Sequence, residues 1–388
     1  MEETVGKRKT FIQKLTLIFI GIGFAFLLSV GVDRLFGWYL QKINYFTAFT
    51  PGLSVSYATT EYASTVNINS QGIRNQEVIM PKPANTYRIL AVGDSTTFGW
   101  GVDLNQTWEK QLEKQLNISG KNVEIIDAGV PGNNIPADSR VCQDYADRFN
   151  IDAVIVGFNG LDDTVQGEAE ITPLVFIESF LWPNITNYRY IGRSLESVDA
   201  RQSQFITTEY WSLKARNYAF NNPDVLKNIS LQVKALFLTG KILPAVVSYA
   251  HEDPNFFLHI LDTNFFQQRK NLLENMFASL KKDCAGNRPL FVLFIPDSSL
   301  LSKSNFAYRE EEGFIMDQKL NTFDFDTPMK QIAKNVGFYY IPTLPDMRKI
   351  TCSTCYFHYD GHPTATADAY FAQIAAPQVQ SILDRIVK

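Results

Sequence analysis

The sequence has little of several things that would assign it to a class at once. Its 388 residues carry 36 Lys and Arg against 40 Asp and Glu, a formal charge of −4, so no basic field exists to attract nucleic acid and none is expected as a partner. Four cysteines are too few for a disulfide scaffold, and the scattered positions Cys142, Cys284, Cys352 and Cys355 match no two-pair zinc ribbon. Cys352-Ser353-Thr354-Cys355 is open to reading as a zinc half-site, a redox pair, part of a disulfide, or buried thiols. There are no internal repeats and no low-complexity tracts, and the Gly-Lys-Ser/Thr ending of a phosphate loop is missing. What remains is a chain with 45% apolar residues, enough for one large domain plus an appendage.

One long apolar run is present. Leu15 to Val32 holds eighteen residues without a charge, about 27 Å as helix, and apolar character resumes at Leu35-Phe36-Gly37-Trp38-Tyr39-Leu40. Lys7, Arg8, Lys9 and Lys14 precede it, which predicts a cytoplasmic N-terminus and an extracytoplasmic remainder. A cleaved signal peptide begins in the same way, but this run is longer than a usual signal and no small-x-small cleavage site follows. A buried soluble helix would show a polar face, and this one has none. The expected organisation is a cytoplasmic start and single-pass anchor over 1–42, an extended lead-in of short strands and turns over 43–85, and a main domain over 86–388.

Within the main domain, short apolar runs alternate with helical spacing. Tyr87–Val92, Val123–Ala128, Ala153–Val156, Leu290–Ile295 and Phe338–Ile341 read as strands, and Trp108, Leu112 and Leu116 share one helical face. Continuous apolar strands separated by helices predict an α/β fold, a doubly wound, flavodoxin-like parallel sheet of about five strands. The interval between the third and fourth strands, at about 161–288, is abnormally long and reads as a mostly helical insert capping the ligand-binding edge. Its aromatic-rich stretch Leu174–Trp182 either packs on the core or rests on a membrane surface.

Four strand-end elements carry candidate chemistry. Gly93-Asp94-Ser95 follows the first strand, where Ser95 is either a nucleophile at a helix N-terminus or, with Asp94, only a cap. Gly129, after the second strand, offers a side-chain-free N–H to an oxyanion or is a turn glycine. Asn159, after the third, offers an amide or ties a loop together. In Tyr356-Phe357-His358-Tyr359-Asp360-Gly361-His362-Pro363, His362 suits a general base with Asp360 as its partner. His358, Asp360 and His362 as metal ligands is the weaker alternative, because Gly361 and Pro363 argue against one helical face.

These four elements in this order resemble the SGNH or GDSL hydrolase family, over Arg88 to the C-terminus apart from the insert. Asn69 to Arg74 is also similar to membrane-anchored bacterial members. The resemblance implies Ser95 as nucleophile, His362 as base, Asp360 as its acid, and an oxyanion hole from the Ser95 N–H, the Gly129 N–H and the Asn159 amide, with no metal or organic cofactor. The sequence departs from the pattern in three places. Gly160 stands where the family has Asp after its Asn, with Asp162 and Asp163 slightly later. Asp360 lies two rather than three residues before His362, and Thr364-Ala365-Thr366-Ala367-Asp368 replaces the usual stretch after the histidine. The implied activity is hydrolysis of acyl esters outside the cytoplasmic membrane, on an envelope or exported glycan or a lipid. Acyl transfer to a sugar hydroxyl and non-catalytic glycan or partner binding are the alternatives.

Overall fold

The computed structural model describes residues 2–42, 48–118, 120, 122–166, 181–182, 205–206 and 208–386. The chain divides into two compact units, one of residues 1–47 with 169–201, the other of 48–168 with 202–388. In the first, a single helix runs Glu2–Lys42, and its segment Gln13–Tyr39 is long and apolar enough to cross a bilayer. Leu17, Phe19, Phe24 and Leu27 are exposed along it, a surface that water does not favour but lipid tails match. Of the aromatic-rich stretch 174–182, only Leu181 and Trp182 lie within the described residues. Trp182 packs edge-on against Phe26 and donates from Nε1 to Ser29 Oγ at 3.1 Å.

The second unit is built on two sheets. A small one pairs β1 (Ser54–Ala58) antiparallel with β2 (Ala63–Asn67) and adds the short parallel strand β6 (Phe205–Ile206). The main sheet contains β3 (Tyr87–Gly93), β4 (Val123–Asp127), β5 (Ala153–Asn159), β7 (Leu290–Ile295) and β8 (Tyr339–Ile341), all parallel, in the order β4-β3-β5-β7-β8. This is the flavodoxin-like order, and the five expected strands are the five observed.

Side-chain alternation explains why these strands read as unbroken apolar runs. Leu90, Val92, Val154, Val156, Val292 and Phe294 enter the core on one face, and Ile89, Ala91, Ile155, Phe291, Leu293 and Ile295 enter it on the other. The first face is covered by helices Ile135–Ala146 and Thr263–Leu280, the second by Trp108–Ile118 and Ala365–Ile386. Cys142 pairs with Cys284 on the first face, and Cys352 pairs with Cys355, which resolves the cysteine alternatives in favour of disulfides.

Within the long interval, helix Thr263–Leu280 buries Leu273, Met276, Phe277 and Leu280 against the sheet. It is the crossover helix that any parallel β5 to β7 connection needs, so the insertion proper ends before it. Helices Thr208–Asn221, Leu231–Leu238 and Pro244–Glu252 form a satellite core around Ala215, Val225, Val233, Phe237 and Val247. Tyr359, from the loop before the C-terminal helix, belongs to the same cluster.

Candidate active site

In the order β4-β3-β5 the strands that follow β3 in the chain lie on its two opposite sides, and this switch opens a crevice at the carboxyl ends of β3 and β5. Ser95 lies two residues after the end of β3, and Asn159 ends β5. The helix that Ser95 opens, Ser95–Phe98, is a single turn, so local N–H groups matter there more than a macrodipole. Asp94 caps it by accepting from the N–H and hydroxyl of Thr96. Asp94 therefore makes the cap, and the half-buried Ser95 beside it keeps its hydroxyl for another partner. A Cβ on Gly93 would lie 2.2 Å from Thr97 Oγ1 and 2.8 Å from the Gly157 carbonyl, so only glycine lets the turn close this tightly.

His362 reaches this turn from the far end of the chain. Its Nε2 lies 2.6 Å from Ser95 Oγ, and its Nδ1 is hydrogen-bonded to Asp360 Oδ1. A carboxylate only accepts, so Nδ1 carries the proton and Nε2 accepts from the serine hydroxyl. With both ring nitrogens engaged, and His358 instead stacked on Tyr308 at 4.1 Å, the three residues do not form a ligand set. Burial disfavours the imidazolium, but Asp360, then Asp94 and Asp162, outweigh it, and the pKa of His362 lies above its ordinary value. Burial likewise pushes Asp360 up, yet the charge of His362 and hydrogen bonds from His362 and Tyr62 together hold it below the ordinary carboxylate value. The pair is thus set as a carboxylate beside a basic imidazole.

Asn159 Nδ2 lies 3.4 Å from Asp94 Oδ2 and 3.3 Å from Asp162 Oδ2. The backbone N–H of Asn159 donates to Asp163 Oδ2 at 3.1 Å. Asp162 is half-buried and pushed up to about 7, first by desolvation and then by Asp94 and Asp297, with His362 and Arg309 partly offsetting. Asp162 and Asp163 therefore both contact the asparagine.

Gly129 is brought to the same turn in a different way from that expected. Its N–H donates to Asp127 Oδ1 at 2.8 Å, and a Cβ there would lie 2.3 Å from the backbone nitrogen of Phe98. The glycine is needed for that close approach, and its N–H is already committed within the loop. Three residues on, the N–H of the exposed Gly132 has no acceptor among the described residues, and neither has the N–H of Ser95.

Of the residues around this constellation, only Arg74 lies in a stretch the sequence singled out, and its role there was not legible. The Tyr62 hydroxyl donates to Asp360 Oδ2 at 2.7 Å, and Trp100 Nε1 lies 3.3 Å from the same oxygen. Arg74, buried at 1% exposure, donates to the carbonyls of Phe98, Gly99 and Val102 behind the serine turn. Arg309, also buried, pairs with Glu312 at 3.0 Å under Gly361. A cavity of about 280 Å³ opens beside Asn159 and His362. Val246, Tyr249, Phe256 and Phe257 give it an apolar lining, and Asp297 also lines it.

The fold and these contacts define a doubly wound α/β protein with a serine, histidine and aspartate in one hydrogen-bond chain at its switch point. No family model matches the chain, and no curated protein matches it. Among solved structures it is similar to TesA, with 12% identity, 76% of this chain and 99% of that one covered, and a TM-score of 0.36. The lipase/acylhydrolase from Enterococcus faecalis is similar at 10% identity over 76% and 96% of the two chains, with a TM-score of 0.36. A Clostridium thermocellum family 3 carbohydrate esterase is similar at 12% identity over 78% and 100%, with a TM-score of 0.37.

Proposed function

We propose that the protein is a serine esterase whose nucleophile is Ser95. The observation that carries this reading is the continuous chain from Ser95 Oγ through His362 to Asp360, at 2.6 Å between the first two. Ser95 Oγ attacks the ester carbonyl while its proton passes to His362 Nε2. The tetrahedral oxyanion collapses, the alcohol leaves with the proton from Nε2, and an acyl group remains on Ser95. Water then attacks, gives its proton to Nε2, and the acid departs as Ser95 recovers its hydrogen. The Asn159 amide and the Ser95 N–H stabilise the oxyanion. In the loop after β4, the uncommitted N–H of Gly132 is better suited to the third place than that of Gly129, which Asp127 holds.

The same proposal sets the reaction outside the cytoplasmic membrane. Lys7, Arg8, Lys9 and Lys14 precede the apolar helix, and the two disulfides belong to an oxidising compartment. A cavity of about 280 Å³ with an apolar lining suits an ester of modest size. O-acyl groups on an envelope or exported glycan, or a lipid ester, are the substrates this placement favours.

The test is labelling with a fluorophosphonate alongside turnover of short-chain aryl esters, in the full chain and in Ser95→Ala. Labelling of the wild type and none in Ser95→Ala is expected. Equal labelling of both would overturn the assignment. Turnover of acetylated oligosaccharides with and without an acceptor sugar separates hydrolysis from acyl transfer.

A further inference from the structure

We infer that the turn joining β1 to β2, through Glu61 and Tyr62, is a positioning element of the active site: it holds the Asp360–His362 loop and sets the basicity of His362. The inference rests on the esterase reading for its kinetic consequences, but not for its geometry. Residues 59–62 lie outside the doubly wound core, and nothing in the α/β fold itself requires them. Thr59 fixes the turn locally, its Oγ1 accepting from the N–H groups of Glu61 and Tyr62 at 3.0 and 3.1 Å.

From that turn Glu61 meets three consecutive N–H groups of the catalytic loop. Its carboxylate accepts from His358 at 2.5 Å, from Tyr359 at 3.1 and 3.2 Å, and from Asp360 at 3.0 Å. Charge-assisted bonds to successive amides fix a loop's path far better than one contact would. The adjacent Tyr62 is 7% exposed, packs its ring on Phe357 at 4.7 Å, and donates to the Asp360 oxygen that His362 does not use. Its hydroxyl in turn accepts from Trp100 Nε1 at 2.7 Å. Burial, then the charge of Asp360, raise the pKa of Tyr62, so it remains a donor. Glu61 therefore places the backbone of the acid, and Tyr62 orients and partly neutralises its carboxylate.

The sign of the effect on His362 follows. A hydrogen bond to Asp360 Oδ2 draws charge away from Oδ1, so losing the Tyr62 hydroxyl leaves a stronger acceptor for the His362 proton and raises the pKa of His362. The other charges facing the pair are Asp94 and Asp162 towards His362, and Arg309, Glu312 and Glu61 towards Asp360. Tyr62→Phe alters none of these groups itself.

The experiment compares full-length wild type, Tyr62→Phe, Glu61→Gln and, as a control in the same hairpin, Ser54→Ala. Ser54 is exposed, and among the described residues its hydroxyl bonds only to Asn67. For Tyr62→Phe the imidazole resonance of His362, one of four histidines and assigned with His362→Ala, should titrate a few tenths of a pH unit higher. The acid limb of kcat/KM should move with it. In Glu61→Gln, kcat should fall on the order of 10- to 100-fold with KM nearly constant, as expected when a catalytic group is slightly misplaced. Ser54→Ala should match the wild type. Unmoved His362 titration in Tyr62→Phe, or wild-type kcat in a folded Glu61→Gln, would overturn the inference. A wild type that takes no fluorophosphonate at Ser95 would instead sink the esterase reading, and the His362 titration would still decide the role of Tyr62.

Discussion

Ser95 Oγ lies 2.6 Å from His362 Nε2 although 267 residues separate them in the chain. Because His362 must be neutral to take the serine proton, activity is expected to rise with pH through the pKa of His362. That pKa is raised by Asp360 above the ordinary 6.5, so the acid limb of kcat/KM for a neutral aryl ester should fall above pH 6.5. The linked stability has the opposite trend. The contribution of the His362–Asp360 pair is fully present below the unfolded pKa of His362 and is lost as pH rises through its raised folded value. Activity and this contribution to stability should therefore change in opposite directions across that interval, which a pH–rate profile and melting curves at matched pH would read. An acid limb at or below 6.5 would contradict the electrostatic account.

Asp360→Asn should keep the fold and lower kcat by roughly four orders of magnitude, the loss expected when the imidazole adopts the wrong tautomer. An amide presents an N–H to His362 Nδ1, so Nε2 would carry the proton and could not accept from Ser95. Steady-state kinetics with circular dichroism as a fold control would check this. A decrease of only a few-fold would mean that another group orients His362.

Asn159 and Gly129, both expected from the sequence in the oxyanion hole, should separate cleanly. Asn159→Ala removes an amide held at 3.3–3.4 Å from Asp94 and Asp162, and kcat should fall about 10²- to 10³-fold with little change in melting temperature. Gly129→Ala places a methyl group 2.3 Å from the Phe98 nitrogen, so its main effect should be on folding and soluble yield. Calorimetry alongside kinetics on both variants would distinguish a lost donor from a displaced turn.

This separation marks the limit of what the sequence carried. The strands were legible because burial on both faces makes them continuous apolar runs, as in Leu290–Ile295. Ser95, Asn159 and His362 were legible because each sits at the edge of such a run or before a long helix. The commitment of the Gly129 N–H was not, because it depends on where the Asp127 side chain turns at the end of β4. Tyr62, Glu61 and Arg74 were invisible as parts of the site for a related reason. Their partners lie 298, 297 and 24 residues away or more, and no periodicity links such positions.

Arg74→Met tests a different part of the same turn. The guanidinium donates to Phe98, Gly99 and Val102 carbonyls and lies 5.0 Å from the Phe98 ring centroid. Methionine fills much of the volume but removes the donor from the buried Phe98 and Val102 carbonyls, while Gly99 keeps only the Val102 N–H at 3.3 Å, and each unsatisfied group costs about 1–3 kcal/mol before relaxation. A markedly lower melting temperature is expected, with reduced fluorophosphonate labelling even in the folded fraction, since these carbonyls belong to the loop that follows Ser95. A variant as stable as the wild type would show that water replaces the guanidinium.

The two disulfides should differ in what their loss disturbs. Cys142–Cys284 spans a sequence separation of 142 and joins two segments on one face of the sheet, so its removal should lower stability by about 2–4 kcal/mol. It lies in the core cluster under helix Ile135–Ala146, not at the cavity, and kcat of the folded double-serine variant should stay near the wild-type value. Cys352–Cys355 closes a separation of only three residues and restricts the unfolded chain much less. Yet the Cys355 carbonyl accepts from Thr364 at 2.8 Å, and Tyr356 bridges Pro363, so the short disulfide braces both ends of the loop bearing Asp360 and His362. Replacing this pair with serine should lower kcat more than it lowers the melting temperature, the reverse of the Cys142–Cys284 result. Urea denaturation and aryl-ester kinetics on the two double variants would reveal the crossover, and parallel losses in both would refute the division of roles.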